Sequence, residues 1–392
     1  MDIKLVPMED YQQIHRLRDY SFPKKYEGAR RADFHYWIEH STTLGAYDKE
    51  KIVGQILVLP LNMMVHGVQY KMGGLGFVAT YPEYRGRGVI KMLMKRALKE
   101  MRQNGQWISV LAPYSVSFYR YFGWELFFDK LHYTIPIEAF PNFGRQSDNV
   151  KRFSFEWMND EIFGEIRQFH NNHILGCNGG MIRNKAWWQR IERREPESHF
   201  IAYYNNENKI AGYLRYEIKD LLFHIKDFYA EGIDAEQAIW RFITSHKASV
   251  EKIIGATSVA SHFGFQFDQP QFKREITQDV MVRVVDALEF MKCYPWGEIQ
   301  QRLFIRLQDP ICPWNEHLFQ IGSGGHVSIM DGDKVEDQYV LHLSINLFSA
   351  MMVGYLSVKD VLPLSGKKIA ERTALNWQKA LPVSFPAFFE YF

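Results

Sequence analysis

Apolar and polar positions first organise themselves around a polar centre in Gly45-Ala46-Tyr47-Asp48-Lys49-Glu50-Lys51-Ile52-Val53-Gly54-Gln55-Ile56. That pattern predicts two strands joined by a tight turn. The same outline returns at Ile201-Ala202-Tyr203-Tyr204-Asn205-Asn206-Glu207-Asn208-Lys209-Ile210-Ala211-Gly212-Tyr213, where Ala-Tyr, a polar turn and Lys-Ile-(Val or Ala)-Gly follow in order. The second turn is longer by two residues. Both stretches lead on to helical spacing and then to a strand, so a duplicated α/β unit is expected.

After the first hairpin, Leu75 to Thr80 reads as a strand, and Tyr84-Arg85-Gly86-Arg87-Gly88-Val89-Ile90 runs into a helix ending near Met101. Ile90, Leu93, Met94, Ala97, Leu98 and Met101 recur at the spacing of a buried stripe. Arg87, Lys91 and Lys95 lie four apart on another face. In the second copy Asp234-Ala235-Glu236-Gln237 reads as an Asp N-cap with Gln at the third position, and no glycine/arginine loop precedes it. The second copy is expected to keep its helix and to lack an anion cradle.

Beyond Met281 the pattern changes. Arg302 to Leu307, Gly325 to Met330 and Gln338 to Leu343 read as strands, and Ile345 to Leu356 as a packed helix. The tail from Leu381 to Phe392 carries Pro382, Pro386, four Phe and Tyr391. Leaving large apolar side chains in water costs roughly 1.5–3 kcal/mol each, so burial of this tail is expected.

Composition narrows the classes. A chain of 392 residues exceeds a single small module, and 46% hydrophobic with 23% charged residues excludes disorder over most of its length. Lys+Arg of 47 against Asp+Glu of 45 gives +2, which argues against a nucleic-acid scaffold. Three scattered cysteines, Cys177, Cys293 and Cys312, fit a reducing compartment. The start Met1-Asp2-Ile3-Lys4 lacks the shape of a secretory signal, and no apolar run reaches the roughly 20 residues of a membrane span. A soluble, cytoplasmic protein is expected.

The candidate chemistry lies at Arg85-Gly86-Arg87-Gly88, between a predicted strand and a predicted helix. Glycine lets a backbone approach a ligand, a helix start offers unpaired N–H groups, and Arg85, Arg87 and Lys91 add positive charge; pyrophosphate suits such a place. A solvated basic turn is the plainer reading of the same four residues.

The segment resembles the acyl-CoA-binding motif of the GNAT superfamily of N-acetyltransferases, Gln/Arg-x-x-Gly-x-Gly/Ala, with Arg85, Gly88 and Ile90 at its defined positions; Ile90 departs from the common Gly/Ala. Phe77-Val78-Ala79-Thr80 and Ser109-Val110-Leu111-Ala112-Pro113-Tyr114-Ser115 also match, and Phe118-Tyr119-Arg120-Tyr121-Phe122-Gly123-Trp124 is similar to the superfamily's Tyr-x-x-Phe-Gly-(Tyr/Trp). More narrowly, the whole chain resembles the Eis (enhanced intracellular survival) acetyltransferase family, on the loop at Arg85, the loop-less second copy, Arg283-Val284-Val285-Asp286 and the aromatic end.

The resemblance implies an α+β or α/β fold class: tandem GNAT domains, the second degenerate, then a sterol-carrier-protein-like α+β domain, over 1–145, 146–282 and 283–392. It implies acetyl transfer from acetyl-CoA to an amine, of the aminoglycoside or lysine/peptide kind, by a homo-oligomer for which a hexamer is suggested. Val78, Ala79 and Thr80 would hold the pantetheine and thioester, and Arg85, Gly86, Arg87, Gly88, Val89, Ile90 and Lys91 the pyrophosphate. Tyr114 and Ser115 are counted with them. Tyr119 matches the general acid and Phe392 the residue whose α-carboxylate is the general base. No metal is expected: His170 and His173 stand three apart without a third ligand nearby, and Gly322-Ser323-Gly324-Gly325 lacks the Lys-Ser/Thr helix start of a phosphate loop. Tyr119 as a packed aromatic, Phe392 as a greasy anchor, and a CoA-dependent sensor or apolar-ligand carrier without catalysis remain the alternatives. No residue chooses the acceptor.

Overall fold

The computed structural model describes residues 1–144, 149–265, 267, 269–330 and 335–392. By packing, the chain divides into two units, Met1–Phe128 with Cys177–Ile182 and Asp279–Phe392, and Asp129–Gly176 with Arg183–Gln278.

The first unit opens with β1 (Asp2–Leu5), α1 (Tyr11–Ser21), α2 (Gly28–His40), β2 (Thr42–Asp48), β3 (Lys51–Val65) and β4 (Val68–Thr80). There follow α3 (Val89–Gln103), β5 (Ile108–Leu111), α4 (Val116–Tyr121) and β6 (Glu125–Leu126). β2 and β3 form the expected hairpin, which β4 extends to an antiparallel meander, and β3 turns into β4 through His66 and Gly67, both at positive φ, as a type I′ hairpin demands. α3 carries the expected stripe: Leu93, Met94, Ala97, Leu98 and Met101 are fully buried against Val53, Ile56, Val58 and Leu75. Ile90 is only half-buried, and Val89 takes the first core position instead.

The second unit holds β7 (Lys130–Pro136), β8 (Val150–Ser154), α5 (Asp160–Leu175), α6 (Lys185–Arg194), β9 (His199–Tyr204), β10 (Ile210–Lys219), β11 (Leu222–Ala230), α7 (Gly232–Thr244), β12 (Lys252–Ser258) and β13 (Lys273–Thr277). Its sheet runs β13-β7-β12-β11-β10-β9-β8. The repeat is real at the level of topology: an antiparallel β9-β10-β11 meander, a helix, then β12 parallel to β11, as β5 is parallel to β4. One expectation is corrected here. Asp234 is not the N-cap; α7 starts three residues earlier than expected, after Glu231, because Gly232 at φ +83° makes the turn and leaves Asp234 in the first helical turn.

The chain then returns to the first unit with β14 (Met281–Val284), α8 (Ala287–Cys293), β15 (Leu303–Gln308), β16 (Leu318–Ile321), β17 (Val327–Met330), β18 (Val340–Ser344), α9 (Ile345–Met352), α10 (Val358–Ser365) and α11 (Glu371–Ala380). β14 inserts between β5 and β6, completing a sheet ordered β1-β2-β3-β4-β5-β14-β6. A separate sheet, β17-β16-β15-β18, carries the three expected strands plus β16, and α9 ends at Met352, short of Leu356. The tail is buried only in part: Phe388 is enclosed, while Val383 and Tyr391 project. Prolines 382 and 386 keep it extended without a partner strand on which alternate side chains would all find cover.

Candidate active site

Between β4 and α3 the chain makes a short 3-10 turn at Pro82–Tyr84 and then a loop whose glycines are both left-handed, Gly86 at φ +74° and Gly88 at φ +75°. A Cβ built on either would meet nothing within 4 Å, so backbone conformation, not crowding, calls for glycine there. Gly88 stands at the N-cap of α3 with no side-chain cap, which leaves first-turn N–H groups to solvent or a ligand. Arg85, Arg87 and Lys91 are exposed around this start. The Arg87 guanidinium lies 5.3 Å over the Tyr84 ring, and Lys91 Nζ lies 5.5 Å over Tyr121 at the end of α4. Thr80 turns its hydroxyl inward to donate to the Val53 carbonyl at 2.9 Å, Ala79 is buried, and Val78 packs half-buried on the α3 core.

β4 and β5 pair in parallel only from Met72 with Ile108 to Gly74 with Val110. Past that point β4 bulges, slipping register between Gln55 and Leu57, with Phe77 at φ +53°, a costly conformation for an aromatic residue. Gln55 Nε2 donates to the Phe77 carbonyl at 3.3 Å, and the Phe77 ring lies 4.5 Å from that of Phe34 in α2. The strands therefore stop pairing beside Gly74, and the ring of Phe392 lies there: a Cβ on Gly74 would fall 3.0 Å from it.

The tail bearing Phe392 is tied down by the short segment around Asn178. Ala387 N donates to the Asn178 carbonyl at 2.8 Å, while Asn178 Nδ2 donates to the carbonyls of Val353 at 2.9 Å and Ser384 at 3.1 Å. His66 Nε2 donates to the Met352 carbonyl at 3.0 Å, so Nδ1 accepts from the Ser384 hydroxyl at 2.8 Å. Burial holds the imidazole pKa below its ordinary value, favouring this neutral form, although the Met352 bond works the other way.

Tyr119 lies on α4, which Ser115 caps through its Oγ, accepting from Phe118 N at 3.4 Å. The phenol is 7% exposed, flanked by the rings of Phe118 and Trp124, and shares the core of Val89 and Leu93. Burial pushes its pKa up to about 12. Tyr119 is thus both a packed aromatic and a phenol that keeps its proton. Tyr114, after β5, is 100% exposed.

His170 is enclosed in the second unit with Nδ1 2.7 Å from the Tyr213 hydroxyl, its pKa pushed down to about 2 by burial first and by Arg183 next. Among the described residues no group of three His, Cys, Asp or Glu side chains gathers as metal ligands would. Gly322–Gly325 forms a turn between β16 and β17. Sequence reasoning passed over Gly74, Phe77, Asn178 and His66. The Gly73-Gly74 pair inside a strand was the one available signal, since glycine there marks a close approach; a single Asn or His in a loop carries none.

The Acetyltransferase (GNAT) domain family matches residues 2–127, a second Acetyltransferase (GNAT) domain family matches 179–284, and the Sterol carrier protein domain matches 284–374. A "Probable N-Acyltransferase" of known structure from Enterococcus faecalis is 26% identical with a TM-score of 0.89, covering 100% of this chain and 99% of its own. Eis1 from Mycobacterium abscessus, 14% identical, shares the fold with a TM-score of 0.82 over 100% of both chains. An "Uncharacterized N-acetyltransferase" from Streptomyces avermitilis is 21% identical over 82% of this chain and 81% of its own. GNAT domains imply acetyl-CoA as acyl donor and an acceptor substrate, and among the described residues no helix is long and apolar enough to cross a membrane. Residues 2–127 and 179–284 thus match acetyltransferase (GNAT) domain families and residues 284–374 the sterol carrier protein domain family, in a chain whose fold Eis1 shares.

Proposed function

We propose that the protein transfers acetyl from acetyl-CoA to a primary amine, aminoglycoside-like or a lysine or peptide amine, in a chain organised as 1–145, 146–282 and 283–392. The observation that carries this reading is the start of α3, where glycine-turned backbone, an uncapped helix end and Arg85, Arg87 and Lys91 meet. There the backbone of Gly86 to Lys91 takes the pyrophosphate. Val78, Ala79 and Thr80 take the pantetheine and thioester where β4 has stopped pairing with β5, together with Tyr114 and Ser115 from the segment between β5 and α4.

The acceptor must be neutral to attack, and the departing CoA thiolate must be stabilised. A phenol at about 12 lies some 3.5 units above a free thiol near 8.5, so full proton transfer from Tyr119 would be uphill by about 5 kcal/mol. Tyr119 therefore acts as a hydrogen-bond donor to the developing thiolate, and completes protonation late. The α-carboxylate of Phe392, carried by a tail anchored at Asn178 and His66, pairs with the substrate ammonium and takes its proton. The assembly expected is a cytoplasmic homo-oligomer, a hexamer by family likeness.

The experiment extends the C-terminus by a few glycines and compares it with Phe392→Leu, using acetyl-CoA and a panel of amines with a thiol-release readout. Extension should lower kcat by about 10²–10⁴, whereas Phe392→Leu keeps the carboxylate and most of the rate. An extended protein with the parent's melting temperature and activity would remove the carboxylate from the mechanism.

A further inference from the structure

The helix that carries Tyr119 is six residues long, too short to hold its own geometry, and its last carbonyls need partners from elsewhere. Those partners come from more than 160 residues away in the chain. Arg283, on β14, donates to the Phe122 carbonyl just past the helix end. Asn346, in the first turn of α9, spends both amide hydrogens on the same turn, donating to the Arg120 carbonyl at 3.0 Å and the Trp124 carbonyl at 2.8 Å. Trp124 N in turn donates to the carbonyl of Tyr119 at 3.1 Å, so the chain of bonds ends on the tyrosine's own peptide.

Arg283 is built to stay where it is. Its side chain is fully buried and paired with Asp309 at 2.6 Å, and Asp309 also accepts from Asn315 Nδ2 at 2.9 Å and Cys312 N at 3.1 Å. The guanidinium also lies 5.5 Å from the Trp124 ring. Gly123, at φ +90°, is the residue it leaves room for: a Cβ there would lie 1.6 Å from Arg283 Nη1 and 2.7 Å from Ile345. The glycine of Phe122-Gly123-Trp124 is therefore demanded by the arginine beneath it as well as by the turn.

We infer that Arg283 and Asn346 are positioning residues for Tyr119, holding the turn after α4 so that the phenol keeps one orientation toward the thioester. This rests on the assignment of Tyr119 as the acid. It assigns the segments after residue 280, which carry none of the CoA-binding motif, a direct part in the geometry of the acid.

Asn346→Ala removes both amide bonds at a half-exposed position without stranding a charge. Arg283→Lys keeps the pairing with Asp309 but loses the planar fork that reaches Phe122. Each should lower kcat about tenfold with the KM for acetyl-CoA within about twofold, since misplacing a reacting group costs rate more than ground-state binding. Combined with Tyr119→Phe, Asn346→Ala should cost nothing further, because its effect passes through the phenol. Full kcat in Asn346→Ala, or an equal loss in the Tyr119→Phe background, overturns the inference. If Tyr119→Phe alone loses no activity, the acid assignment fails instead, and a second measurement still decides the positioning. In protein labelled with ζ-13C-tyrosine, the Tyr119 resonance, assigned by its absence in Tyr119→Phe, should shift in Asn346→Ala while that of Tyr213 stays. An unmoved Tyr119 resonance overturns the proposal.

Discussion

The two acetyltransferase copies can be aligned by a single packing detail. A Cβ on Gly54 would fall 2.8 Å from Val89 and 3.2 Å from Leu93 of α3, and a Cβ on Gly212 would fall 3.3 Å from Ala235 and 3.2 Å from Ile239 of α7. The glycine of each Lys-Ile-(Val or Ala)-Gly thus lets the helix touch the sheet, and Val89 answers to Ala235 as Leu93 answers to Ile239. Between strand and helix the first copy then has Tyr81-Pro82-Glu83-Tyr84-Arg85-Gly86-Arg87-Gly88, and the second only Glu231, with Gly232, Ile233 and Asp234 already in the first turn of α7. Where Arg85 and Arg87 surround the first helix start, Glu231 and Asp234 surround the second. Shortening and charge reversal together leave positive side chains at the first helix start and negative ones at the second, the contrast on which the proposed pyrophosphate site rests.

Buried polar groups divide the same way. In the second copy Asp227 is enclosed with Arg183 on both its oxygens, at 2.8 and 2.7 Å, and with Arg215 Nε at 2.7 Å. Burial alone would raise the Asp227 pKa; the two arginines hold it far below the usual carboxylate range. Arg85, Arg87 and Lys91 of the first copy stand exposed, while Arg183, Arg215 and Asp227 of the second pair with one another inside the core.

The contrast predicts opposite consequences for mutation. The largest effect is expected from Tyr119→Phe, which should cost about 10²–10⁴ in kcat, and leave acetyl-CoA affinity by calorimetry unchanged. The pH profile sharpens it: with the phenol pushed up to about 12, kcat should rise as the acceptor amine loses its proton and show no loss from Tyr119 ionisation at pH 10. Asp227→Ala, in the other copy, should destabilise by about 3–5 kcal/mol because two buried guanidinium groups lose their partner. Its surviving folded fraction should still bind acetyl-CoA at the parent's affinity; loss of binding would mean that the second copy shares the site.

Smaller effects follow at the loops. Gly88→Trp, or Arg85→Glu with Arg87→Ile to imitate the second copy, should weaken acetyl-CoA binding tenfold or more, while Gly232→Ala, which strains only α7, should not. The mildest effect concerns the tail. His66 titrates below its unfolded value, so its contribution to stability is present above about pH 6.5 and is lost as pH falls through the lower folded value. Melting temperature should fall more steeply below pH 6.5 in the parent than in His66→Gln, and parallel curves would detach His66 from the tail.

What the sequence by itself determined was local. Hairpins, the α3 stripe and the glycine/arginine loop were legible because alternation, helical period and left-handed turns are imposed within a few residues of the chain. Motif resemblance, not spacing, singled out Tyr119 and Phe392. The tertiary structure decided the rest. Only pairing on both edges shows that Met281–Val284 completes the first sheet, that Asp234 yields the start of α7 to Gly232, and that Val383 and Tyr391 stay outside when Phe388 is enclosed. Asn178, Arg283 and Asn346 donate to carbonyls 161 to 226 residues away, through bonds that no periodicity records. A hydrogen bond to a distant backbone oxygen leaves the donor's neighbours in sequence unconstrained, so Asn178 and Asn346 look, in the chain, like any other Asn.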